Sequence, residues 1–289
     1  MNTSGKTSSN SRSSHRQNPK RQKPSKWAFF RRLDIRFPWL KLITACVIGV
    51  LAILDLCDLT ISSTNDPVNK IMIAPMSRHI QATERVTEGK KLVALTFDDG
   101  PSPTTTPKLL DILAEKDVPA TFFMLGSMAR NNPDIVKRAK REWHEVASHT
   151  MYHQNLIKLP TASIQSDISE AKSVFKSILG YSTMLTRPPY GNVNDDVKTI
   201  VAAPMILWSV DTEDWKNKNT DSIVSITMSE VYDGAIILMH DIYPTSVEAV
   251  PTLVDTLRQN GYEFVTVPEL AKERGVELSP GKIYYSFRP

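Results

Sequence analysis

From Lys91 onward the chain alternates between two hydrophobic periods. The short apolar runs LVALTF, ATFFML, EVASH, TMLTRP, MILWSV, AIILMH and EFVTV have the length and composition of buried strands. Between them, apolar residues recur every three to four positions and predict helices. One is marked by Leu109, Leu110, Ile112 and Leu113, and a second by Ile164, Ile168, Ala171, Val174, Phe175 and Ile178; Val247, Val250, Val254 and Leu257 mark a third. Seven strands alternating with helices imply parallel pairing and an α/β architecture. No Gly-rich loop follows the first run, which favours a closed or distorted barrel over an open sheet.

Upstream of Lys91 this alternation is missing. Residues 1–26 carry almost no large apolar side chain, so they cannot offset their own ordering entropy and are expected to be disordered. Residues 1–41 hold eleven Lys/Arg and one acid, Asp34, so the net charge of +4 combines a basic tail with an acidic body. That asymmetry argues against a nucleic-acid-binding surface spread over the protein. Leu42–Leu54 is uncharged, and from Pro38 to Cys57 the segment reaches about 20 residues, enough to cross a bilayer as a helix. Lys41 and Asp55 fall near its ends and Trp39 at an interface.

The organisation expected is a basic cytoplasmic tail (1–37), a transmembrane signal-anchor (38–60), a linker (61–90), a catalytic domain (91–275) and a C-terminal extension (276–289). The positive-inside rule puts the body outside the cell. The length of the basic region and the lack of an A-x-A site favour a retained anchor; secretion after cleavage is the alternative. Both cysteines, Cys46 and Cys57, lie in or beside the apolar segment, so the body has neither a disulfide nor cysteine chemistry.

The chemistry-bearing residues fall at the ends of the predicted strands. Asp98 and Asp99 follow the first, and His149 ends the third with His153 four residues on. Arg187 ends the fourth, Asp211 and Asp214 follow the fifth, and His240 ends the sixth. In a parallel barrel these ends share the face on which active sites are built. The i, i+4 spacing of His149 and His153 predicts two imidazoles on one face of a helical turn. With one carboxylate from the first strand they make a two-histidine, one-carboxylate set that leaves a position for water. The second carboxylate is then free to act as a general base toward that water.

TFDDGP, SHTMYH, RPPYG, DTEDW and LMHD occur in that order. As a set they resemble the five motifs of the polysaccharide deacetylases, carbohydrate esterase family 4 or the NodB homology domain, over about Lys91 to Gly275. With the anchor, the likeness is greatest to bacterial peptidoglycan N-acetylglucosamine deacetylases. The resemblance implies a distorted (β/α) barrel and one divalent metal ion held by Asp99, His149 and His153. Zinc is the default, with cobalt, nickel or manganese compatible with the same donors. It further implies Asp98 as general base, Arg187 as the residue holding it, and His240 as general acid with Asp214 as its partner. The Tyr190 amide would be the oxyanion donor, and Trp215 and Leu238 the walls of the acetyl pocket. Ala147 and Ser148 stand where the family often has Gly and Asn.

The function implied is removal of N-acetyl groups from peptidoglycan or a related N-acetylated glycan, with no protein partner inferred. Another N- or O-acetylated polysaccharide (a chitin-like polymer or acetylxylan) and a non-catalytic glycan-binding module are the alternatives.

Overall fold

The computed structural model describes residues 89–289 apart from Met184. The predicted basic tail, the predicted membrane helix and the linker as far as residue 88 lie outside the described residues. Among the described residues no helix is long and apolar enough to cross a membrane.

In chain order the strands are β1 (Lys91–Asp98), β2 (Thr121–Met124), β3 (Glu145–Ser148), β4 (Met205–Ile206), β5 (Val210–Asp211), β6 (Ala235–His240), β7 (Tyr262–Phe264) and β8 (Ile283–Tyr284). The helices are α1 (Thr106–Lys116), α2 (Gly126–Asn131), α3 (Pro133–Arg141), α4 (Thr161–Leu179), α5 (Asp195–Val201), α6 (Asp214–Asn217), α7 (Thr220–Glu230), α8 (Pro244–Gln259) and α9 (Val267–Glu273). The three helices read from apolar spacing correspond to α1, α4 and α8.

β1 is the central strand. β6 pairs with it in parallel from Val93↔Ala235 to Asp98↔His240. Its other edge is shared, with β7 against Lys91–Val93 and β2 against Thr96–Asp98. β3 continues beyond β2, and β5 beyond β6, both in parallel. Isolated bridges join Ser148 to Thr186 and Thr186 to Met205, so the ring closes through the segment that carries β4 and β5. The result is an α/β barrel of parallel strands, distorted on the side of Thr186.

The period-2 alternation of strand side chains sorts β1 and β6 into two faces. Val93, Leu95, Phe97, Ala235, Ile237 and Met239 pack outward against Leu109, Leu110, Leu113, Val250 and Leu253 of α1 and α8. Leu92, Ala94 and Ile236 face inward with Phe123, Ala147, Leu185, Ile206 and Phe287. Continuing the alternation, Thr96 and Asp98 on β1 and Leu238 and His240 on β6 fall on that inward face. The apolar layer thus gives way to polar side chains as the strands reach their C-terminal ends.

Three features differ from the expectations. The fourth predicted strand, TMLTRP, contributes only the bridge at Thr186, because the two prolines that follow Arg187 have no N–H to extend a ladder. The fifth, MILWSV, is split into β4 and β5; around the break the carbonyls of Ile206 and Leu207 accept hydrogen bonds from Arg187, at 2.9 and 3.0 Å. Residues 276–289, expected as an extension, instead build part of the barrel. β8 pairs with β4, and the Phe287 N–H donates to the Gly234 carbonyl at 2.8 Å. Gly234 must be glycine here, since a Cβ would come within 2.0 Å of the Phe287 carbonyl oxygen.

Candidate active site

Asp98 and Asp99 diverge although they are adjacent. Asp98 ends β1 and is buried, whereas Asp99 takes a left-handed conformation (φ 74°) that turns its side chain elsewhere. Asp tolerates that region better than most residues. Gly100 follows, and a Cβ there would meet the carboxylate of Asp241 at 2.2–2.6 Å.

The two histidines converge, but not on a helical turn. Residues 149–153 form an irregular loop with Thr150 (φ 71°) and His153 (φ 56°) in the left-handed region, so the i, i+4 helical expectation is corrected. The His149 Nδ1 lies 2.6 Å from the Arg187 carbonyl. A carbonyl only accepts, so Nδ1 carries the proton and Nε2 keeps its lone pair. That Nε2 lies 3.6 Å from Asp99 Oδ1, and His153 Nε2 lies 3.4 Å from the same oxygen. One ligand atom from each of Asp99, His149 and His153 falls within 4.8 Å of the others.

These donors fit a metal ion. Asp99 Oδ1 is buried with no hydrogen-bond partner among the described residues. Separations of this size suit nitrogen and oxygen ligands placed roughly 2.0–2.2 Å from a shared cation. Burial, partly offset by Asp99, pushes the His149 imidazole down to about 3, so it stays neutral and able to ligate.

Arg187 anchors the site from inside the barrel and is fully buried. Its Nη1 donates to Asp98 Oδ1 at 2.6 Å and to Thr96 Oγ1 at 2.9 Å. The guanidinium also lies 4.0 Å from the centre of the Phe123 ring. Burial raises the proton affinity of Asp98, with Arg187 and His240 opposing. Burial lowers that of Arg187, with Asp98 opposing.

His240 ends β6, opposite Asp98 in the strand register, and lines the same cleft. Its Nδ1–H donates to Asp214 Oδ1 at 2.7 Å, while its backbone N–H and the Ser246 hydroxyl donate to Asp214 Oδ2 at 2.7 and 2.6 Å. Burial alone would depress the imidazole. The hydrogen bond and charge of Asp214, with Asp98 and Asp99 beyond, outweigh it and push His240 up to about 9.

The cleft between these groups has a volume of about 450 Å³. Tyr190, Trp208, Asp211, Trp215, Leu238 and Tyr243 complete its lining. Tyr190 sits in the one-turn helix Pro189–Gly191 with a left-handed backbone (φ 61°), its ring edge-on to His153. Its N–H takes no part in the two hydrogen bonds that hold this turn, from Gly191 to Pro188 and from Asn192 to Pro189. Trp215, on α6, is half exposed, and Leu238, on β6, is buried.

The eleven candidate site residues read from the sequence, Asp211 included, lie in this cleft or directly behind it. Sequence reasoning missed Trp208 and Tyr243 in the lining and Asp241 beneath it. Asp241 is buried, accepts from the Thr106 hydroxyl at 2.5 Å and is pushed up to about 7 by burial, with the charge of Asp99 adding to it. Its one sequence signal was its place beside His240 in LMHD.

Three candidate metal donors and a carboxylate–histidine pair thus gather at the C-terminal strand ends of a parallel α/β barrel. Residues 85–204 match the sequence model described as Polysaccharide deacetylase. The chain is 44% identical over 195 residues to peptidoglycan-N-acetylglucosamine deacetylase PgdA of Listeria monocytogenes, an alignment covering 68% of this chain and 41% of the relative. A peptidoglycan-N-acetylglucosamine deacetylase of Bacillus cereus is 38% identical over 198 residues, covering 66% of this chain and 92% of that one. The solved structure of a family 4 acetyl xylan esterase from Clostridium thermocellum, in complex with a cobalt ion, superposes with a TM-score of 0.66 at 30% identity, covering 69% of this chain and 100% of that one. The alignment thus spans about two fifths of the length of the Listeria relative. The chain belongs to the polysaccharide deacetylase family.

Proposed function

We propose that this protein is a metal-dependent hydrolase that removes N-acetyl groups from cell-wall glycan, with N-acetylglucosamine of peptidoglycan as its substrate. The observation that carries the reading is the placement of a buried carboxylate, Asp98, beside a carboxylate-paired imidazole, His240, in one cleft that also holds three candidate metal donors. The names of the Listeria and Bacillus relatives support the choice of substrate.

Asp99, His149 and His153 would hold the cation, zinc being the default for such donors and cobalt, nickel and manganese compatible with them. When bound, it acts as a Lewis acid at the acetamide carbonyl and lowers the pKa of water at the site toward neutrality.

The remaining steps belong to the chain's own residues. Asp98, held by Arg187, takes a proton from the attacking water. The Tyr190 N–H meets the carbonyl oxygen as negative charge develops on it. His240, kept protonated by Asp214, donates to the leaving nitrogen, which departs as an amine. Trp215 and Leu238 wall the space for the acetyl methyl, and acetate and a glucosamine unit are the products.

We further infer that the body is displayed outside the cell on a single-pass anchor, supported by the uncharged run Leu42–Leu54 and the eleven basic residues before it. A second reading, hydrolysis of an O-acetyl ester, is favoured by the likeness to the Clostridium acetyl xylan esterase.

One assay separates the two readings. The full-length, zinc-loaded protein is incubated with peptidoglycan fragments, chitooligosaccharides and acetylxylan, and products are read by acetate release and mass spectrometry. Loss of acetyl from glucosamine residues of peptidoglycan is the expected result. Activity confined to acetylxylan, or none on any of the three, overturns the proposal.

A further inference from the structure

The apolar stripe of α4 contains one residue that hydrophobic patterning does not account for. Asp167 is buried alongside Ile164, Ile168, Ala171, Val174 and Phe175. A carboxylate in that position loses hydration and needs compensation. It finds it in the loop between the two metal-site histidines: the Met151 N–H donates to Asp167 Oδ1 at 2.8 Å, and the Tyr152 amide adds a second favourable interaction.

The same loop is gripped from the other side. The N–H groups of Gly126 and Ser127, opening α2, donate to the carbonyls of Thr150 and Met151 at 2.8 and 3.1 Å. A Cβ on Gly126 would press on the Met151 side chain, at 2.5 Å from Sδ, and on the α4 backbone, at 3.2 Å from the Ala171 Cα. One turn along α4, Glu170 accepts from the Tyr152 hydroxyl and from Arg130 of α2, an exposed and weaker tie between the same elements. The grip has something to hold. Thr150, β-branched, sits at φ 71° and His153 at φ 56°, left-handed conformations that persist only where the surroundings impose them.

We propose that Asp167 is a positioning residue of the metal centre: with the Gly126 and Ser127 amides it clamps the 150–151 backbone, between left-handed Thr150 and left-handed His153, and so sets the separation of the His149 and His153 ligand nitrogens. The inference rests on the metal-dependent reading above. Asp167 touches neither ligand, and acts through the peptide groups between them.

The test uses the full-length protein, with zinc affinity measured by competition against a chromophoric chelator and the visible spectrum recorded after loading with cobalt(II). Asp167→Ala removes the acceptor and is expected to weaken zinc binding on the order of 10- to 100-fold, the usual effect of losing an outer partner of a metal ligand, and to change the cobalt bands. Asp167→Asn keeps an oxygen for the Met151 N–H and is expected to restore both. Gly126→Ala crowds the Met151 side chain and pushes α2, which carries the clamping amides, away from α4, and should weaken binding likewise, which gives a reading even where Asp167→Ala does not fold. Parental zinc affinity and parental cobalt bands in folded Asp167→Ala, or in Gly126→Ala, overturn the proposal while leaving the metal-dependent reading intact. A parent protein that binds no metal overturns both.

Discussion

Asp98 and His240 are register partners at the ends of adjacent parallel strands, β1 and β6. Neighbouring strands run about 4.8 Å apart, so two side chains on the same inward face are carried side by side. Sheet pairing therefore brings together the proposed base and acid, although they are far apart in sequence. Asp98 leans toward the metal donors, with Oδ2 3.6 Å from His149 Nε2, and His240 leans toward Asp214. Groups that act as a unit lose their effect together. Asp98→Asn and His240→Ala are each expected to lower acetate release about 10²- to 10⁴-fold, and the double variant to fall little below the worse single one. Fully multiplicative losses in steady-state kinetics would show that the two act independently.

Arg187 holds up the same arrangement from below. Its Nε and both Nη atoms are committed to four acceptors on two segments: Thr96 and Asp98 of β1, and the carbonyls of Ile206 and Leu207. A lysine presents one nitrogen and cannot reach all of them. Arg187→Lys is expected to destabilise the fold by about 3–5 kcal/mol, because it leaves buried carbonyls and a buried carboxylate poorly paired. Denaturant titration measures this directly. An unchanged midpoint would mean that the network contributes nothing to the fold.

The sequence made the site easier to read than the barrel. Each motif ends an apolar run, and a strand end fixes where a side chain emerges, so Asp98, His149 and His240 could be placed from pattern alone. The convergence of His149 and His153 was legible, but its cause was not. Spacing suggested a helix, whereas the loop is held by a carboxylate on α4 and amides on α2, contacts that no local pattern reveals. The broken strand at 205–211 was hidden for a similar reason. Its interruption coincides with hydrogen bonds from Arg187, a long-range partner, while the local run MILWSV reads as continuous. The role of the C-terminal segment depended on Gly234 leaving room for Phe287, which is again invisible to periodicity.

The donor set predicts a stability readout as well as an activity one. Asp99 Oδ1 is buried without a hydrogen-bond partner among the described residues, so a bound ion would satisfy a group that otherwise weakens the fold. A ligand that binds only the native state raises its apparent stability by mass action. Dialysis against a chelator is expected to abolish acetate release and lower the unfolding temperature, and added zinc to restore both. Asp99→Asn should lose the zinc-dependent rise in unfolding temperature. Full activity after exhaustive chelation, with metal content verified by elemental analysis, would contradict the metal-dependent reading.

In the proposed mechanism the pairing of His240 with Asp214 sets the alkaline limit of the reaction. Folding raises the imidazole to about 9, so a proton for the leaving amine is available across neutral pH and is withdrawn as pH rises through that value. The stability that the pairing contributes follows the same course: it is fully present below the unfolded imidazole value of about 6.5 and is lost as pH rises through the folded one. Asp214→Asn removes the charge that outweighs burial, so His240 should release its proton at lower pH. The descending limb of kcat/KM is then expected to move from near pH 9 toward neutrality, with activity at low pH least affected. A pH–rate profile of the variant on chitooligosaccharide decides the matter. If the limb stays where it is in the parent, His240 is not the acid whose ionisation limits the reaction.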